Sequence, residues 1–125
     1  MAAARVLLML MRIAVALQII VGIALWSGHW TTMVGAHMTI GSIYVVLFWI
    51  IAVIALVRRR YVGLALFAIV WGLVIAWFGY AQQGIMPGSL HWIVRLVHLI
   101  VGLSAMPVAE RLVGRAEVSE SVAAA

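Results

Sequence analysis

Polar residues recur along one face of an otherwise apolar stretch, HWIVRLVHLIVG, at residues 91–102. Read as a helix, this stretch contains His91, Arg95, His98 and Gly102 at steps of four, three and four, so they share one face. An ionisable side chain at the centre of a membrane helix costs about 2.5–3.5 kcal/mol, so such a face turns toward a partner and away from lipid. Imidazole and guanidinium groups in this setting indicate a site for a metal or an anionic cofactor.

A second histidine and glycine pair occurs earlier in the chain. His37 and Gly41 are four residues apart, as His98 and Gly102 are. Two imidazoles on separate helices, with small residues beside a flat ring, are an arrangement that holds a b-type haem. We predict His37 and His98 as the metal ligands. His91 remains the alternative to His98. Counted in residues from the arginines that follow each segment, the depth of His91 in the membrane is closer to that of His37 than the depth of His98 is.

The remaining haem contacts are predicted from size and charge. Glycines admit the edge of the macrocycle, and a cation meets its propionates. The residues predicted for these cofactor-binding roles are Gly22, Gly41, Gly72 and Gly102 for the macrocycle, and Arg95 for a propionate. The chain has no cysteine, which excludes thiolate metal sites and covalent c-type haem attachment.

The composition puts these residues in a membrane. Of the 125 residues, 68% are hydrophobic and 9% are charged, whereas soluble domains have about a quarter charged residues. Stretches of about 20 apolar residues cross a bilayer as helices, which satisfy their own backbone hydrogen bonds. The sequence predicts an all-α fold, an integral membrane antiparallel four-helix bundle within residues 1–114. The predicted helices are 6–26, 34–57, 61–82 and 90–109.

The basic residues, all arginine, predict the orientation of the chain. Arg5 precedes the first segment, three arginines at 58–60 follow the second, and Arg111 follows the fourth, whereas the other two loops have none. By the positive-inside rule both termini are cytoplasmic, in the inner membrane of a prokaryote. The charge thus reports topology, and no nucleic acid partner is expected. The tail at 115–125 lacks an apolar period and is predicted to be a disordered cytoplasmic segment.

An internal repeat of two helices is also predicted. The sequence IVGIALW at 20–26 resembles IVWGLVIAW at 69–77, and the spacing of His37 and Gly41 recurs between His98 and Gly102. The first two helices would then correspond to the last two, related by an approximate two-fold axis along the membrane normal.

This pattern of helices and histidines resembles that of small b-type membrane cytochromes. In particular it is similar to one four-helix half of haem A synthase, in which histidines on the second and fourth helices face one haem. The resemblance implies electron transfer through one bis-histidine haem b near the external face, with quinol or another redox partner. It does not extend to the chemistry of the synthase, since Ala36 and Met38 flank His37 in place of a glutamate and an arginine.

Two other functions are compatible with the sequence. A copper site at the external face is one, since imidazoles and methionine thioethers suit copper and both occur near the external ends of the predicted helices. A structural subunit of a larger respiratory or photosynthetic membrane complex, or of a homo-oligomer in the lipid bilayer, is the other. Hydrolysis by a carboxylate pair is excluded, because Glu110, Glu117 and Glu120 all lie at the predicted cytoplasmic end. A stand-alone enzyme is therefore less expected than an electron carrier.

Overall fold

The computed structural model describes the backbone of residues 2–123 and the side chains of residues 3–114. Within this range no strand occurs, and the predicted all-α class is confirmed. Single turns of 3-10 helix lie at Thr31–Met33 and Gln82–Gly84. The α-helices are α1 (Ala2–Trp26), α2 (Val34–Val57), α3 (Val62–Ala81), α4 (His91–Leu103) and α5 (Ala105–Ala123).

Four segments of the described chain are long and apolar enough to cross a membrane: Ala3–Trp26, Thr31–Val57, Val62–Gly84 and His91–Gly114. They pack as a four-helix bundle whose outward side chains are largely apolar, which suits contact with lipid. The prediction of a membrane protein with four transmembrane helices is therefore confirmed. The bounds predicted for the second helix match the structure, and those of the third differ by one residue at each end.

The fourth segment is interrupted where the sequence predicts one helix at 90–109. The interruption lies at Ser104, between α4 and α5. Pro107 explains it, because proline has no N–H to donate to the Leu103 carbonyl four residues earlier, and its ring crowds that carbonyl. The segment then continues through α5, so that the membrane span ends at Gly114.

A hydrogen-bonded serine links the interruption to α3. Trp71 Nε1 donates to Ser104 Oγ at 2.7 Å, and Ser104 Oγ donates to the Val101 carbonyl at 2.6 Å. The serine therefore holds the junction of α4 and α5 against α3 although the regular helical ladder is broken there.

Small residues bring the helices close together in the half of the bundle that contains α5. Five alanines of α2, α3 and α5 have no exposed surface, and the large side chains of Met11 and Phe48 fill the space among the helices. The alanines are Ala52, Ala65, Ala68, Ala105 and Ala109. This half is a close-packed core. In the other half of the bundle the helices leave an open space.

Two further features concern α5. Arg12 Nη2 and Glu110 Oε1 lie 2.8 Å apart, an exposed ion pair that joins α1 to α5. The bounds of α5 include 115–123, part of the segment predicted to be disordered. The side chains of 115–123 and the whole of 124–125 lie outside the described residues, so the disordered tail stays a prediction.

Candidate functional site

A cavity of about 490 Å³ lies among α1, α2, α3 and α4, away from the close-packed core. Its volume is within the range of about 300–1,000 Å³ typical of sites for small ligands and cofactors. Most of its lining is apolar, with a few polar groups. Seven of the eight predicted site residues line it, namely Gly22, His37, Gly41, His91, Arg95, His98 and Gly102.

The cavity brings His37 of α2 close to His98 of α4. The centroids of the two imidazole rings are 6.3 Å apart and their planes are tilted by 53°. A bond from a metal to an imidazole nitrogen is about 2.0–2.1 Å long, and the ring centre lies about 1.1 Å behind that nitrogen, so two rings on opposite sides of one metal have centres about 6 Å apart. The observed separation is close to this value.

Each of these rings packs against a glycine of the preceding long helix. A Cβ atom on Gly22 of α1 would be 3.3 Å from His37 Cε1, and one on Gly79 of α3 would be 3.6 Å from His98 Cε1. The first distance is closer than ordinary van der Waals contact, so even alanine at Gly22 requires the imidazole to shift. The two glycines thus leave the space that the rings occupy. Phe78 completes the wall beside His98, with ring centroids 6.0 Å apart.

Two buried polar atoms of the site have no hydrogen-bond partner. They are His37 Nδ1 and Gln18 Oε1, and both residues line the cavity. Buried polar atoms in native proteins are nearly always paired, with protein, water or a ligand. Both atoms are therefore available for a hydrogen bond at this site.

The other two histidines have polar partners of their own. His91 Nδ1 lies 3.1 Å from the Ile85 carbonyl oxygen, and His29 Nδ1 lies 3.0 Å from Ser27 Oγ. His91 lines the cavity, but it is held by the loop that precedes α4. The structure thus brings His98, rather than His91, against His37.

The predicted glycines have different neighbours. Gly41 lies against the side-chain amide of Gln18, whose Nε2 would collide with a Cβ there. The Gly102 carbonyl accepts a hydrogen bond of 3.0 Å from Tyr44 Oη, and the space beside its Cα is open. Both therefore adjoin the cavity while also connecting helices.

Gly72 is the predicted site residue that does not reach the cavity. Its Cα faces Trp49, whose indole nitrogen would collide with any Cβ at this position. Trp49 Nε1 donates to the Ile69 carbonyl at 3.1 Å, one turn before Gly72. Because Gly72 has no side chain, Trp49 of α2 can pack directly against the backbone of α3. Gly72 therefore has a packing role.

Sequence reasoning did not identify three residues of the site: Gln18, Tyr44 and Gly79. In the sequence Gln18 lies four residues before Gly22, and Gly79 lies seven residues after Gly72, so each pair shares one face of its helix. These spacings indicate a face of each helix. They did not show which neighbour each face meets, since that depends on how the helices pack.

Three imidazoles line the cavity, those of His37, His91 and His98, and one cation lies nearby. Arg95 is the formally charged residue of the lining that the structure describes, and its side chain is exposed. Among residues with described side chains, no three of the types His, Cys, Asp and Glu come together as a metal cluster. The two imidazoles whose rings lie close together are those of His37 and His98.

Comparison with known proteins gives no match for this chain, whether with protein-family models, with curated proteins or with solved structures.

Proposed function

We propose that this protein is a membrane cytochrome that carries electrons through one b-type haem held by His37 and His98. The observation that supports this most strongly is the separation of 6.3 Å between the two imidazole centroids, at the edge of a cavity of about 490 Å³. Two neutral imidazoles on different helices are a common ligand set for haem iron in helical bundles.

Three features of the cavity fit a haem. The lining is largely apolar, as a macrocycle requires. Gly22 and Gly79 leave room for the imidazoles beside the helix backbones. His37 Nδ1 is an unsatisfied nitrogen, and a ring that ligates through one nitrogen uses the other as a hydrogen-bond donor. The residues present are therefore suited to the group.

The protein would supply binding, orientation and electrostatics. His37 and His98 would hold the iron, and ligation by two imidazoles favours electron transfer over the binding of a further ligand. Arg95 would pair with a propionate at the exposed side of the cavity. The haem, when bound, would supply one-electron redox chemistry.

The orientation proposed for the chain follows from its arginines. With the arginines at 58–60 and both termini in the cytoplasm, the helices alternate in direction as an antiparallel bundle. His37 then lies toward the external end of α2, and the haem would be near the external face of a prokaryotic inner membrane. Quinol or an external redox protein could exchange electrons with it there.

The two-helix repeat also remains a proposal, and one relationship supports it. His37 packs on Gly22 of the helix before its own, and His98 packs on Gly79 of the helix before its own. The two halves of the chain thus each contribute one histidine seated on one glycine. This pairing matches Gly22 with Gly79, whereas the similar sequences at 20–26 and 69–77 align Gly22 with Gly72.

The test is an optical spectrum of the protein purified in detergent after expression with haem supplied. We expect a Soret band and, after reduction with dithionite, sharp α and β bands with one haem per chain. A protein of full helical content that shows no Soret band would contradict the proposal. Copper analysis of the same sample would then test the copper alternative, because Cu(I) has no such band.

A further inference from the structure

We propose that Gln18 is a positioning residue for His37, accepting a hydrogen bond from its Nδ1 so that the other ring nitrogen faces the metal. This inference rests on the proposed haem site. It assigns to α1 a role in setting the haem potential, although α1 supplies no ligand.

The first observation is the interlock between α1 and α2. Gln18 and Gly22 are one turn apart on α1, and His37 and Gly41 are one turn apart on α2. The Gln18 amide lies on Gly41, and the His37 ring lies on Gly22. Each helix therefore contributes one polar side chain and one glycine, and the two polar side chains are neighbours along the same contact.

The second observation is independent of packing. Gln18 Oε1 and His37 Nδ1 are the buried side-chain polar atoms, among the described residues, that have no hydrogen-bond partner. One is an acceptor and the other is a donor when the histidine is protonated at Nδ1. Both belong to residues that line the cavity. A hydrogen bond between them would satisfy both atoms at once.

The physical consequence follows from the chemistry of imidazole. A histidine that ligates a metal through one nitrogen nearly always donates from the other, which fixes its tautomer and orientation and raises its basicity. A more basic imidazole stabilises the ferric state relative to the ferrous state. Gln18 would thus lower the haem midpoint potential and strengthen haem binding.

The experiment compares Gln18→Met with Thr39→Val in the full chain, using haemin as the probe. Methionine is close to glutamine in length and carries no charge, so it removes the acceptor with little change in packing. Thr39→Val is the control, because it also removes a polar group, but from an exposed side chain that donates to the Gly35 carbonyl of its own helix and does not line the cavity. We expect Gln18→Met to raise the midpoint potential and to weaken haemin binding by about 10- to 100-fold, the usual effect of removing the hydrogen-bond partner of a metal-ligating histidine, with Thr39→Val unchanged.

A second measurement does not depend on the folding of a variant. In the wild-type haem protein, the ¹⁵N spectrum of labelled histidine should contain an Nδ1–H signal of His37 that is protected from solvent exchange. A wild-type potential and affinity in Gln18→Met, or rapid exchange of that proton, would overturn this inference while leaving the haem site in place. Failure of the wild-type protein to bind haemin would instead overturn the proposed function itself.

Discussion

The imidazole of His37 on α2 lies 6.3 Å from that of His98 on α4, measured between ring centroids, and both residues line the cavity. His37 Nδ1 has no hydrogen-bond partner, and each ring is seated on a glycine of the preceding long helix. If the rings had only a packing role, apolar side chains would be more favourable there, because polar groups away from water are costly. The arrangement therefore supports the proposal of a shared ligand.

The glycine beneath His37 should be essential for ligand binding. Gly22→Val places a branched side chain where even a Cβ lies 3.3 Å from the imidazole, so the ring must move. We expect haemin affinity to fall at least tenfold, which corresponds to about 1.4 kcal/mol. Gly35→Val is the control, since nothing lies within 4 Å of a Cβ at Gly35. Equal affinities in a haemin titration of the two variants would contradict the role of Gly22.

The hydroxyl of Tyr44 should contribute to stability by joining α2 to α4. Tyr44 is 4% exposed and donates to the Gly102 carbonyl at 3.0 Å. Tyr44→Phe should lower the free energy of unfolding by about 0.5–1.5 kcal/mol, the net value of one hydrogen bond. In the control, Tyr80→Phe, the hydroxyl belongs to an exposed side chain and has only a long contact of 3.3 Å with Ser42 Oγ, so the change should stay within about 0.5 kcal/mol. Unfolding in detergent, followed by circular dichroism, distinguishes the two.

If Gly72 has a packing role, its substitution should lower the stability of the protein without a specific decrease in haemin affinity. Gly72→Ala forces Trp49 away from α3 and breaks its hydrogen bond to the Ile69 carbonyl. We expect a cost of about 1–3 kcal/mol, typical of overpacking. Gly63→Ala, on the same helix with open space around it, should be neutral or stabilising. If Gly72→Ala kept full stability but lost haemin, the glycine would belong to the ligand site after all.

The orientation of the chain can be tested directly because it has no cysteine of its own. Ser27→Cys and Ser89→Cys place a thiol in the loops predicted to be external, and Arg59→Cys places one in the turn predicted to be cytoplasmic. A membrane-impermeant maleimide added to spheroplasts should label the first two and not the third. Labelling of Arg59→Cys alone would reverse the proposed topology.

The helices could be predicted from the sequence because each is a long apolar run that ends at arginines, glycines or a proline turn. These runs and the residues that flank them predict the bounds, and α2 matches its prediction at both ends, whereas α1 begins at Ala2, four residues before its predicted start. The interruption at Ser104 was less accessible, since the position of Pro107 predicts a disturbance but not its place.

Two patterns in the sequence pointed to different neighbours for His37. The glycine spacing favoured His98, whereas a residue count from the arginines, which assumes helices that run parallel to one axis, favoured His91. In the structure His98 lies beside His37, and the Ile85 carbonyl lies beside His91, so helix packing overrides the count. Gly72 does not line the cavity for a related reason. A glycine in a sequence indicates close approach, but only tertiary contacts show that the approaching group is Trp49.

The proposed binding of one haem iron by His37 and His98 is tested most directly by the optical spectra of His37→Ala, His98→Ala and His91→Ala beside that of the wild type. We predict that the sharp α and β bands of the reduced protein are lost in His37→Ala and His98→Ala and persist in His91→Ala, because His91 is held by the loop before α4. Persistence of those bands in His98→Ala, with their loss in His91→Ala, would contradict the ligand pair.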